Sequence, residues 1–244
     1  MGVDIAIIDS GINPWHSHVQ GVEGGIAFRL DAAGRVLRGD DFRDELGHGT
    51  AIAGVIREKV PQAGLYAVKI FHRKLEAPMV LLREALEWAL AKRVNIVHLS
   101  LGTEREEFKL GLARLCRQAY ESHTVIVAAA RTAEDRLYPA TFDSVIGVYW
   151  SRDCRENSLV YDPEKPVAFG AYGRPRAIAG LPQEQNFCGS SFAAAQVTGM
   201  AAQFLEQNPG AGVLEVKGML QMAARGGIRK YGTKRARQQK EVYR

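Results

Sequence analysis

Five short runs along this chain are almost wholly apolar: Val3 to Ile8, Leu65 to Phe71, Asn95 to Leu99, Thr124 to Ala130 and Asp143 to Val148. Each is too short for a buried helix and rich in Val, Ile and Ala, so each reads as a strand covered on both faces. Val167 to Gly170 and Arg176 to Ile178 are weaker strand candidates. Between the runs lie helical patterns. Met79 to Arg93 places Leu82, Leu86, Ala89 and Leu90 on one face, and Glu106 to Ser122 follows the same logic. Gly47-His48-Gly49-Thr50 opens a small-residue helix, Ala51 to Ile56. Phe192 to Phe204 carries no charge at all and is expected to be a buried helix. Residues 13–46 are polar and Gly-rich, with a hairpin expected around Gly25 to Phe28 and Arg35 to Arg38. Alternating strands and helices predict an α/β fold, a three-layer sandwich around a mostly parallel central sheet.

Composition narrows the class. The 244 residues are 46% hydrophobic and 24% charged, a globular profile with ample material for a core. No apolar run reaches the length that spans a bilayer, so no membrane partner is expected. The net charge of +5 is misleading, because residues 225–244 hold eight Lys or Arg against one Glu. The first 224 residues are therefore slightly acidic. Residues 1–224 read as one domain and 225–244 as a basic, flexible tail. That tail is either a solvated terminus or a contact for nucleic acid or an acidic protein partner. Cys116, Cys154 and Cys188 are too few and too scattered for a disulfide frame or a zinc site. Cys188 is expected to be a small buried hydrophobe. With no basic, apolar leader at Met1, the expected location is cytoplasmic.

In open parallel sheets, functional groups gather at the carboxyl ends of the strands. Asp9 ends the first run, His48 stands at a helix start, and Ser191 lies where Gly189-Ser190-Ser191 meets the charge-free helix. A serine hydroxyl is a weak nucleophile unless an imidazole takes its proton. The imidazole in turn needs a carboxylate to fix its tautomer and steady its charged form. Taken singly, each residue has a plainer reading: Asp9 as a turn residue, His48 as a satisfied polar group, Ser191 as a helix cap.

Taken together, Asp9-Ser10-Gly11, Gly47-His48-Gly49-Thr50-Ala51-Ile52-Ala53-Gly54 and Gly189-Ser190-Ser191-Phe192-Ala193 resemble the three signatures of the subtilisin-like serine proteases, the subtilases. Supporting stretches match between them: Leu65-Tyr66-Ala67-Val68-Lys69, Leu99-Ser100-Leu101-Gly102, and Tyr138-Pro139-Ala140 followed by Ser144-Val145-Ile146-Gly147-Val148. The order Asp, His, Ser is the known order of subtilisin. The resemblance implies a subtilisin-like sandwich and an endopeptidase in which Ser191 attacks, His48 moves the proton and Asp9 orients His48. It implies that an extended peptide or protein substrate pairs with Ser100, Leu101 and Gly102 as an added strand.

The chain departs from the family pattern in three places. Thr132 stands where the oxyanion-hole asparagine is expected, leaving the Ser191 N–H and the Thr132 hydroxyl as the oxyanion donors. Ala195-Gln196 replaces the usual Pro-His. The stretch Ile56 to Leu65 is too short for the family's calcium-binding insertion, and Asp40, Asp41 and Asp44 read as loop acids, so no metal or other cofactor is expected. Glu134 and Asp135, near the expected specificity pocket, are either solvated loop acids or a preference for a basic side chain before the cut. The function expected is peptide cleavage, in precursor or leader-peptide processing. The alternative is a weak or inactive relative that binds peptides.

Overall fold

A computed structural model of the chain describes residues 2–224; the expected basic tail, 225–244, lies outside the described residues. The apolar runs assemble into one sheet of nine strands: β1 (Asp4–Asp9), β2 (Gly24–Leu30), β3 (Val36–Gly39), β4 (Gly64–Lys69), β5 (Ile96–Leu99), β6 (Val125–Ala130), β7 (Val145–Trp150), β8 (Leu159–Tyr161) and β9 (Phe169–Ala171). Their spatial order is β3-β2-β4-β1-β5-β6-β7-β9-β8. All neighbours from β2 to β9 run parallel, and only the edge strands β3 and β8 pair antiparallel. The helices are α1 (His48–Lys59), α2 (Met79–Lys92), α3 (Glu106–Glu121), α4 (Ser190–Gln207) and α5 over 213–224. None described is long and apolar enough to cross a membrane.

Strand alternation explains the three layers. Ile5 and Ile7 of β1 pack with α1, α4 and α5, whereas Ala6 and Ile8 pack with α2 and α3. The same split holds in β6, where Val125, Val127 and Ala129 face one core and Ile126, Ala128 and Ala130 the other. Two covered faces leave no place for polar alternation, which is why the central runs are continuously apolar.

Two elements go beyond the sequence expectations and one expected element is missing. β8 is a three-residue edge strand, too short to carry a pattern. α5 buries Val213, Val216, Leu220 and Ala224, a helical spacing diluted by charged neighbours. Arg176 to Ile178 is not a strand; it makes only an isolated bridge between Ile178 and Leu181. Side chains take its backbone groups instead: Gln183 donates to the Pro175 carbonyl (2.8 Å) and Asn186 to that of Arg176 (3.1 Å).

Helix α1 starts earlier than its apolar residues alone indicate. Gly47, at its start, has φ 80° and no side chain to cap the helix. Asp44 reaches over instead. Its Oδ1 accepts from Leu46 and Gly47 N–H, and its Oδ2 from Thr50 N–H (each 2.9 Å) and the Thr50 hydroxyl (2.7 Å). Asp44 is thus a helix cap, and not a free loop acid. We expect Asp44→Ala to lower the unfolding free energy by about 1–2 kcal/mol in urea denaturation, with an unchanged slope.

Candidate active site

The carboxyl end of β1 and the first residue of α1 meet in a hydrogen bond. His48 Nδ1 donates to Asp9 Oδ1 at 2.8 Å. Asp9 is fully buried and His48 only 6% exposed. The same Oδ1 accepts from the backbone N–H of Ser10 (2.7 Å) and from the Ser10 hydroxyl (3.1 Å), which also accepts from Gly49 N–H (2.9 Å). Ser10 therefore ties strand end to helix start. The fit needs glycine: a Cβ on Gly49 would lie 2.2 Å from the Gly11 carbonyl oxygen and 3.2 Å from Asp9 Oδ1.

Burial by itself would push the Asp9 carboxyl up; the His48 charge and hydrogen bond, helped by the Ser100 hydroxyl and Ser10 N–H, outweigh it and hold Asp9 below its ordinary value. Burial would likewise push His48 down. The charge and hydrogen bond of Asp9, with Asp44 beyond, win and raise it. Linkage sets the signs. The raised His48 contributes stability that is complete below 6.5 and fades as pH rises through its folded value. The lowered Asp9 contributes stability present above 3.8 and lost as pH falls through its folded value. The pair thus stabilises the fold most in the weakly acid range.

The His48 ring stands edge-on to Phe192 (centroids 5.2 Å apart) and Phe187 (5.8 Å). Phe192 follows Ser191 in the first turn of α4, so the imidazole packs against that turn. No hydrogen bond joins them in this arrangement; such contacts are often long until substrate is bound. Ser190, by contrast, is occupied, its hydroxyl accepting from Trp150 N–H at 3.2 Å. Among the described residues the Ser191 N–H has no acceptor, which leaves an orphan donor at the positive end of a long buried helix.

Ser100, Leu101 and Gly102 lie half-buried beyond the last β5–β6 pair, Leu99 with Ala128, and belong to no strand. Thr103 then pairs with Tyr138 through two backbone hydrogen bonds of 2.8 Å. Thr132 follows β6 at the same rim and is exposed. Its N–H is turned toward Asp135 Oδ2 (3.3 Å), and its hydroxyl makes no hydrogen bond among the described residues. Asp135 also takes the Arg131 N–H (2.6 Å) and guanidinium (3.1 Å), and Arg131 pairs onward with Glu104. Glu134 pairs with Lys165. Both acids near the expected specificity pocket are thus already matched with cations. Cys188 is exposed, contrary to expectation, in the loop that ends at Gly189 before α4; Cys116 and Cys154 are the buried thiols. The sequence expectations took Asp44 as a loop acid and Ser10 only as part of a motif, and omitted the fully buried His98; a lone histidine within an apolar strand was the legible signal for the last.

The family model described as "Subtilase family" matches residues 1–242. The chain belongs to the subtilase family. This subtilase is 30% identical over 183 residues to the minor extracellular protease Epr of Bacillus subtilis (strain 168), covering 70% of this chain and 27% of Epr. It is 26% identical over 221 residues to a thermostable alkaline protease of Halalkalibacterium halodurans, covering 85% of this chain and 58% of that protein. It thus spans only part of either relative's length. Among solved structures, a lanthipeptide protease superposes with a TM-score of 0.66 at 18% identity, over 88% of this chain and 77% of that one, a likeness of fold.

We expect the His48 imidazole of this subtilase to titrate above 6.5 in an NMR pH series. In Asp9→Asn the midpoint should fall below 6.5, because burial then acts unopposed.

Proposed function

We propose that this subtilase is a serine endopeptidase acting on extended peptides. The observation that carries the reading is the buried Asp9–His48 hydrogen bond, set against the first turn of α4 with its unpaired Ser191 N–H. Asp9 holds His48 as the Nδ1–H tautomer, which leaves Nε2 free to accept a proton. Ser191 Oγ attacks the scissile carbonyl as its proton passes to His48. The oxyanion that forms takes the Ser191 N–H and the Thr132 hydroxyl. His48 then protonates the departing amine, and water, deprotonated by His48, hydrolyses the acyl-enzyme. Ser100, Leu101 and Gly102 offer an unpaired backbone on which a peptide adds as a strand.

We read the physiological task as precursor or leader-peptide processing. What supports it is the fold shared with a lanthipeptide protease. All three cysteines are free, one of them exposed, which suits a cytoplasmic setting. The peptide-binding alternative draws on Thr132, a poorer donor than a side-chain amide.

We expect a fluorophosphonate probe to label the wild type, and neither Ser191→Ala nor His48→Ala; an unlabelled wild type would favour the binder. Thr132→Val, which keeps shape and removes the hydroxyl, should lower kcat roughly a hundredfold with little change in KM. An unchanged kcat would remove Thr132 from the oxyanion hole.

A further inference from the structure

His98 is a fully buried ionisable side chain of the sheet that the proposed chemistry does not use. It is fully buried on β5, in register with Ile7 on β1 and Val127 on β6. It shares the α1–α4 face with Ile7 and Ile96. Its Nδ1 lies 3.0 Å from the Thr198 hydroxyl of α4, and its Nε2 lies 3.1 Å from the Ser100 hydroxyl. Two residues further along the chain from Ile7 and His98 come Asp9, the last residue of β1, and Ser100, the first residue past β5. Asp9 Oδ2 is buried and has no hydrogen-bond partner among the described residues, while Oδ1 takes three. A carboxylate oxygen left so is costly.

The directions of these hydrogen bonds are not free to choose. A neutral imidazole has one N–H, and a hydroxyl has one O–H. If Nδ1 carried the proton, Ser100 would donate to Nε2, and nothing would remain for Asp9. If Nε2 carries it, Ser100 accepts from His98 and its own proton goes to the carboxylate. Thr198 then donates to Nδ1. Every bond in that chain points at the anion, and each polarises the next.

We propose that His98 is a positioning residue for Asp9. As the Nε2–H tautomer it holds the Ser100 hydroxyl as a donor to the second carboxylate oxygen, which fixes the carboxylate that fixes His48. Ser100 thereby serves the substrate through its backbone and the triad through its side chain. Burial, with the nearby charge on His48, pushes the His98 pKa down to about 4 against the pull of Asp9, so the ring stays neutral across the working range. Asp9 and His48 are the charged groups that act on it. The inference rests on the peptidase reading for its catalytic meaning only.

The test uses the full chain labelled with ¹⁵N and long-range ¹H–¹⁵N spectra of its six histidines, the His98 signals being those lost in His98→Gln. The expected result is protonated Nε2 and bare Nδ1 for His98 from about pH 5 to 8. An Nδ1–H tautomer, or a charged ring, would overturn the proposal. In the kinetic arm, His98→Leu should lower kcat roughly five- to tenfold with KM unchanged, and His98→Gln, whose amide still donates, should stay within about twofold of wild type. Equal losses in both, or none in either, would mean that His98 supplies only volume and would also overturn it. If no peptide is cleaved at all, the peptidase reading fails alone, and the tautomer still decides this inference.

Discussion

A full negative charge with no access to water sits at the end of the central strand, and the active face is arranged around keeping it there. Burial of the Asp9 carboxylate opposes its ionisation. The surroundings answer with a cation partner in His48 and with hydrogen-bond donors from Ser10. Each answer fixes something else. The His48 contact sets where α1 begins, and the Ser10 hydroxyl sets how closely Gly49 approaches the strand. The charge thus organises the geometry in which it is later used.

The same economy appears at the two helix starts. α1 opens on Gly47 with no cap of its own, and Asp44 supplies one from outside. α4 opens on Gly189 and leaves the Ser191 N–H without a partner. One terminus is satisfied because its residue must hold still. The other stays open, which is the condition for stabilising a charge that appears only during reaction.

Much of this was legible in the sequence. The continuously apolar runs announced a sheet covered on both sides, and the polar residues at their ends announced the rim. Asp9 and His48 were found because chemistry demands that such types meet, and the structure joins them directly. What was not legible depends on distance between residues far apart in sequence. Asp44 looks like any loop acid until α1 is seen to need a cap. Cys188 looks apolar until it is seen on an exposed loop just before α4. Arg176 to Ile178 has the composition of a strand, but its carbonyl partners come from side chains in a later loop. Glu134 and Asp135 look like a free negative patch until their cations appear.

The two cores on either side of the sheet carry a consequence for how such a molecule can change. Odd and even positions of β1 and β6 feed separate clusters. Residues under α2 and α3 meet the catalytic rim through Leu101, and lie across the sheet from the face of α1 and α4. Mutational drift in that half alters how firmly the scaffold stands while the reactive groups keep their spacing. The reverse holds beneath α1 and α4, whose cluster includes Phe192, the ring that packs against the imidazole. One lamina is thus open to evolutionary tinkering, and the other is bound to a single geometry.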